Sequence, residues 1–121
     1  MRKDIEMTME DGSKKSLPFE ANGATAILYR FVFHEDLMVT MNRLSSTDMD
    51  TLVGAKLAYI MHAQAASTPT SELSMDDFIH WAARFDGMSL IEGLDSFVAL
   101  YLGNRATTAE PKKEDAQLTG K

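Results

Sequence analysis

The alternation of polar and apolar residues at the start of the chain predicts a β-hairpin. From Asp4 to Glu10 every second residue is apolar, which is the period of a strand with one buried face. Asp11-Gly12 follows at once, and glycine accepts the positive φ that a tight turn requires. Ser16 to Phe19 then supplies the returning strand. The predicted hairpin covers residues 4–20.

After the hairpin, apolar residues recur at the three- and four-residue steps of amphipathic helices. The first helix is predicted to follow Asn22 as its cap. The polar run at residues 34–36 interrupts the spacing, so the pattern favours two short helices over one bent helix. The stripe expected to be buried along the first helix consists of Ala24, Ile27, Leu28, Phe31 and Val32.

A third helix is predicted from Asp48 to Ala65, with Thr47 as its cap. Its apolar residues spread around more than one side, which is typical of a central helix that other elements contact on several faces. Those expected to be buried are Val53, Leu57, Ile60 and Met61, with Leu52, Ala55 and Ala58 widening the stripe.

Two more helices are predicted after a loop at residues 66–73. Ser74 with Asp77 has the spacing of a capping pattern and opens a helix that carries Phe78, Trp81 and Phe85 and ends at residues 86–87. The last helix runs from about Leu90 to Leu102 and is closed by residues 103–104. The predicted fold is therefore mainly α (α+β): an N-terminal hairpin, then a compact bundle of four to five helices over about residues 22–103.

The composition changes after Gly103, and this sets the predicted domain organisation. Residues 104–121 contain one leucine and no aromatic residue, too little apolar surface to offset the entropy of ordering. We expect one globular domain over residues 1–103 and a disordered, flexible polar tail over residues 104–121. The tail has four basic and three acidic residues, so residues 1–103 hold a net charge of −7 within a chain of −6.

Charge and composition exclude several classes of function. A net charge of −6 and a pI near 4.9 lack the electrostatic signature of a nucleic-acid-binding protein. The absence of cysteine excludes disulfides, thiolate zinc sites and cysteine nucleophiles. No apolar run has the length of a signal peptide or a membrane span. We expect an intracellular, cytoplasmic protein with no nucleic-acid or membrane partner.

The residues that could carry chemistry do not form a recognisable catalytic or metal-binding motif. His34 lacks the second histidine of a helical zinc motif, and its position indicates a helix end. His62 and His80 are expected to be partly exposed surface residues. The acidic pairs at residues 35–36 and 76–77 lie where helices break or begin, which suits the helix dipole. The sequence therefore predicts a protein that is not an enzyme, with no catalytic residue, metal or cofactor.

Methionine and aromatic side chains are the remaining candidates for function. Nine methionines in 121 residues are many, and methionine furnishes adaptable binding surfaces as well as core filling. We expect the exposed members of one set to bind a partner: Met38, Met41, Trp81, Phe85 and Met88.

The order of these segments resembles the small tail assembly chaperones of long-tailed, siphovirus-type phages and prophages of Gram-positive bacteria. The resemblance covers about residues 4–104. It rests on the order of the patterns rather than on one diagnostic motif. The matching pieces are the hairpin with Leu17-Pro18-Phe19-Glu20-Ala21, then residues 24–30 with Phe33, residues 35–37, the helix from Leu52 to Ala65, residues 75–81, and Leu90 to Leu102.

The resemblance implies a non-catalytic protein that binds the long, aggregation-prone tape measure protein, recruits tail tube subunits around it and is absent from the mature virion. An alternative is a small regulatory or adaptor protein of a phage or mobile element that binds a host protein. Gene neighbourhood separates the two, because a tail chaperone lies between genes for a tube protein and a very long tape measure protein. The sequence leaves self-association open.

Overall fold

The computed structural model describes residues 1–42 and 52–109 of the chain, with side chains as far as residue 103. An N-terminal antiparallel hairpin precedes a series of helices, which confirms the predicted fold class. No helix in these ranges has both the length and the apolar character needed to cross a membrane. The elements are β1 (Arg2–Thr8), β2 (Lys14–Glu20), α1 (Thr25–Phe33), α2 (Leu37–Asn42), α3 (Val53–Ala65), a 3₁₀ turn (Thr70–Glu72), α4 (Met75–Ala82), α5 (Ser89–Glu92) and α6 (Leu94–Ala109).

The hairpin forms as its alternating pattern predicts. β1 and β2 pair in antiparallel register with Ile5 opposite Leu17. At the turn, Gly12 has φ +88°, and the Asp11 carboxylate accepts hydrogen bonds from the backbone N–H and the hydroxyl of Ser13 at 2.9 and 2.6 Å. These bonds favour the charged carboxylate and lower the pKa of Asp11.

The predicted buried stripe of α1 is wrong at three of its five residues, Ala24, Ile27 and Phe31, which are exposed. The helix buries Thr25, Tyr29, Val32 and Phe33 and leaves Ile27 and Phe31 exposed, although both belong to the expected stripe. A hydrogen-bonded cluster at the start of the helix fits this rotation, because the buried Thr25 hydroxyl donates to Gln64 Oε1 at 2.7 Å.

Asn22 completes that cluster rather than capping α1 in the expected way. Its side-chain oxygen accepts from Gln64 Nε2 at 2.7 Å and from the backbone N–H of Ala24 at 2.9 Å, and its backbone N–H donates to Thr25 Oγ1 at 3.0 Å. Thr25 makes these bonds from a buried position, and Tyr29, one turn later, lies on the same buried face.

The helical structure is interrupted between α1 and α2, where the sequence predicts it. His34 has φ +58°, a left-handed conformation that ends α1 while its N–H still donates to the carbonyl of Arg30. The Asp36 carboxylate then accepts from the backbone N–H groups of Met38 and Val39 at 2.9 and 3.3 Å and so caps α2.

The prediction of α3 as a central helix is confirmed. Its residues from Val53 to Met61 are all buried, and it packs against β2, α1, α4, α5 and α6. Leu52, which was expected to widen the buried stripe, is instead exposed. The predicted cap Thr47 and the predicted helix start at Asp48 lie outside the described residues.

The capping prediction at α4 is confirmed, but the predicted end of this helix is wrong. Ser74 Oγ accepts from the backbone N–H of Asp77 at 3.0 Å. The helix ends at Ala82, and Phe85 lies beyond it in a β-bridge with Met9. The chain after α4 therefore runs beside the end of β1 and hydrogen-bonds to it instead of continuing the helix.

The last predicted helix is two helices, and the second one continues past its predicted end. The chain divides at Gly93 into α5 and α6. The Phe97 ring packs closely against this glycine, because a Cβ at Gly93 would lie 2.7 Å from it. α6 runs through Gly103 to Ala109, so residues 104–109 are helical rather than part of the predicted tail. The rest of that predicted tail, residues 110–121, lies outside the described residues.

We predict that Gly54→Ala destabilises the fold, because α3 and α6 approach closely there. A Cβ on Gly54 would lie 2.9 Å from both the Cα and the Cδ1 of Leu94, and a backbone atom cannot move aside as a side chain can. Overpacking costs about 1–3 kcal/mol, and the better helix propensity of alanine returns up to about 1 kcal/mol. Urea denaturation should show a net loss of about 1–2 kcal/mol.

Gly23→Ala is the matched control, because a Cβ there meets nothing within 4 Å. Its stability should stay within about 0.5 kcal/mol of the wild type. Equal stability of the two variants would contradict the close approach of α3 and α6.

Candidate functional site

The five residues expected to bind a partner lie in different environments. Met38 and Met88 are exposed, at 45% and 53%, and Met41 is partly buried. Trp81 and Phe85 are core residues, exposed by 6% and 4%. The expectation that these two aromatic residues offer surface to a partner is therefore corrected.

Trp81 and Phe85 are buried because they continue an aromatic cluster built on α3. The Trp81 ring lies 4.7 Å from Phe85, 5.8 Å from Tyr59 and 5.8 Å from His62, measured between ring centroids. Tyr59 in turn contacts Phe78 at 5.5 Å. Replacing Trp81 or Phe85 would therefore disturb the core before it reported on any partner.

Sequence reasoning missed the exposed apolar residues of α1. Ile27 is 69% exposed and Phe31 is 52% exposed, and they lie one turn apart on one face of the helix. The sequence did contain a competing stripe, Thr25, Tyr29, Val32 and Phe33, at the same helical spacing. Its threonine, a polar residue in a buried position, interrupts the apolar pattern of that stripe.

α2 adds two exposed apolar side chains to those of α1. Met38 and Val39 lie in the first turn of α2, where the Asp36 carboxylate caps their backbone N–H groups, and both are exposed. Ile27, Phe31, Met38 and Val39 are called the α1–α2 apolar residues below. The charged pair beside them, Arg30 and Asp36, is itself exposed, with 4.0 Å between its nitrogen and oxygen.

A polar groove of about 460 Å³ lies between α3 and α4. One wall consists of Tyr59, His62 and Ala63 of α3 with Ala66 just after that helix, and the other consists of Asp77, His80 and Trp81 of α4 with Arg84 beyond its end. Thr68 and Glu72 also line the groove.

Hydrogen bonds fix the orientation of two side chains in the groove. The Tyr59 hydroxyl donates to Asp77 Oδ2 at 2.7 Å, and burial together with this bond raises the pKa of Tyr59 above its ordinary value. His62 Nδ1 lies 2.8 Å from the carbonyl oxygen of Pro18. A carbonyl only accepts, so Nδ1 carries a proton and the other nitrogen, Nε2, is an acceptor in the neutral ring.

Three of the four acidic residues at the helix ends have structural partners among the described residues. Glu35 lies 3.2 Å from the nearly buried ammonium group of Lys56, and Asp36 caps α2. Asp77 accepts the Tyr59 hydroxyl, as described above. Within the described ranges no group of three or more histidine and carboxylate side chains is placed to hold a metal ion.

Comparisons with protein-family models, curated proteins and solved structures found no match to this chain.

We predict that the stability of the fold decreases above about pH 10, partly through Tyr59. The folded chain holds the Tyr59 proton at pH values where the unfolded chain, with an ordinary pKa of 10.0, releases it. The stability that comes from this group is therefore complete below that pH and is lost as the pH rises. Denaturation at about pH 8 and about pH 11 should show a larger loss in the wild type than in Tyr59→Phe.

Tyr101→Phe is the control, because Tyr101 is a partly buried tyrosine of α6. It should retain the wild-type pH dependence. The interpretation fails if Tyr59→Phe loses as much stability over this pH range as the wild type does.

Proposed function

We propose that the chain is a non-catalytic tail assembly chaperone that binds the tape measure protein through the α1–α2 apolar residues. It would act in the cytoplasm of a bacterial host, help to recruit tail tube subunits and be absent from the finished virion. The order of segments that resembles these chaperones supports the proposal, as do the large apolar side chains that α1 and α2 expose.

The single observation that carries the proposal is the exposure of Ile27 and Phe31. Large side chains that stay exposed one turn apart on a helix form a ridge that an apolar partner can cover. Covering such a side chain contributes about 1.5–3 kcal/mol. Met38 and Val39 of α2 are also exposed and can add apolar contact.

The adaptability of the surface supports a long client with many similar segments. Met38 is unbranched and flexible, so it can fit different apolar side chains in turn. The net charge of −7 on residues 1–103 would keep a complex with an apolar client soluble.

Co-expression with the neighbouring tape measure protein tests the proposal. The wild type should raise the soluble fraction of the tape measure protein. The double variant Ile27→Ser, Phe31→Ser should lose that effect and bind about a hundredfold more weakly or worse, because two large contacts are removed. Both side chains are exposed, so the variant should retain the wild-type circular dichroism spectrum and unfolding midpoint.

The matched control is Met75→Ser, Ile79→Ser. These two residues are also exposed and one turn apart, but they lie on α4. The control should support solubility as well as the wild type does. If the wild type does not improve solubility, or if the α1 variant works as well as the control, the proposal is wrong.

A further inference from the structure

The backbone of β1 has one edge that faces β2 and one outer edge. In an antiparallel pair, successive residues point their N–H and C=O groups alternately towards the partner strand and away from it. The Met1 amine donates to the Ala21 carbonyl at 2.7 Å, and the Ala21 N–H donates to the Met1 carbonyl at 2.8 Å. The odd-numbered residues of β1 therefore point towards β2. Those that point away from it are Arg2, Asp4, Glu6 and Thr8.

The fold pairs this outer edge only at the far end of β1. The Thr8 N–H donates to Ser89 Oγ at 3.2 Å, and the Thr8 carbonyl accepts from the Asp86 N–H at 3.0 Å. Both partners belong to the segment that follows α4 and runs beside the end of β1. The edge thus already accepts an extended segment of chain, but only from Thr8 onwards.

The rest of the outer edge is open. Among the described residues, no group bonds to the outward backbone N–H and C=O of Arg2, Asp4 or Glu6, and all three residues are exposed. Such a row of unpaired groups is the pattern that an added β-strand satisfies. The opposite edge of the hairpin is closed at its centre, because Pro18 has no N–H and its carbonyl lies 2.8 Å from His62 Nδ1.

A second copy of β1 fits the open edge in one antiparallel register. With Asp4 of both copies at a twofold axis, Arg2 of each copy lies opposite Glu6 of the other, and every outward N–H of residues 2–6 meets a carbonyl. Moving the register by one outward residue in one direction needs Thr8, whose outward groups are already bonded. Moving it in the other direction leaves Glu6 unpaired. The backbone therefore selects the register centred on Asp4.

The charges along the edge are complementary in this register. Arg2 opposite Glu6 is an attractive cross-strand pair, and the twofold symmetry forms it twice. Arg2 already lies 3.6 Å from Glu20 of its own hairpin, but a guanidinium group has several N–H donors and can bind a second carboxylate. Asp4 lies opposite Asp4 of the second copy, and this single like-charge contact weakens the association.

We propose that two copies of the chain associate through the outer edges of β1 and join their hairpins into one four-stranded antiparallel sheet, in the order β2-β1-β1-β2. A hairpin alone is marginally stable, whereas four strands are an ordinary size for a β-sheet. The interface does not use the α1–α2 apolar residues, so this inference does not depend on the proposed function.

Sedimentation velocity of the full chain at increasing concentration tests the association. We expect a monomer–dimer equilibrium with dimer present at about 1 mM or below. Asp4→Asn and Glu6→Gln each remove one negative charge at neighbouring outward positions of β1, so each is the matched control of the other. Asp4→Asn should strengthen the dimer about two- to fivefold, because the like-charge contact is lost. Glu6→Gln should weaken it about two- to tenfold, because both attractive pairs are lost.

Glu6→Pro tests the backbone bonds of the interface. Proline removes the outward N–H of this position and leaves the bonds between β1 and β2 in place, so the hairpin should still form. The dimer should weaken about tenfold or more relative to the wild type. Ser16→Pro is the control, because Ser16 lies opposite Glu6 and points its N–H to the other edge of the hairpin. It should leave the dimer unchanged.

The proposal is overturned if the chain is monomeric at about 1 mM, or if Asp4→Asn and Glu6→Gln shift the equilibrium in the same direction. It is also overturned if Glu6→Pro, folded by circular dichroism, dimerises as well as Ser16→Pro. If Glu6→Pro does not fold, the two charge variants decide. The α1 variant Ile27→Ser, Phe31→Ser should keep the wild-type dimer whether or not it binds a client, and a dimer lost in that variant would contradict the proposal.

Discussion

The near-complete burial of α3 is the constraint on which the rest of the structure depends. A polar group taken out of water must find a hydrogen-bond partner or destabilise the fold by several kcal/mol, so every polar side chain of this helix needs a specific neighbour. Lys56 meets Glu35 at the break between α1 and α2, Tyr59 meets Asp77 on α4, and His62 meets the carbonyl of Pro18 on β2. Gln64 meets Asn22 and Thr25 at the start of α1.

These polar contacts bear on how α1 is rotated about its own axis. Apolar contact alone would accept several rotations of α1 about its axis, because two stripes of similar hydrophobicity run along that helix. The bond from Thr25 to Gln64 is made in only one of these rotations, the one in which Phe33 contacts Tyr29 and Phe78. Ile27 and Phe31 are exposed in that same rotation, so the polar contacts of α3 and the proposed client surface are compatible.

Local signals allowed prediction of most elements but not of every boundary or buried face. Asp11-Gly12 and the pair Ser74 with Asp77 act within a few residues, and the hairpin and the α4 cap form as predicted. The orientation of α1 involves the contact of Thr25 with Gln64, 39 residues away, and the position of Phe85 involves its β-bridge with Met9. The α3–α4 groove likewise needs both helices before it exists. The hydrophobic periodicity of a single segment does not reveal these long-range contacts. In α1, the buried Thr25 also makes the stripe that is buried in the fold less apolar than an ordinary core stripe.

The absence of cysteine allows a direct measurement of the rotation of α1. Single variants Ile27→Cys, Phe31→Cys and Val32→Cys can be reacted with a thiol reagent under native conditions, and each rate can be compared with that of the unfolded chain. The account predicts that Ile27→Cys and Phe31→Cys react at rates close to those of the unfolded chain, whereas Val32→Cys is protected by more than about tenfold because its site is buried. Protection at positions 27 and 31 with fast reaction at position 32 would contradict it.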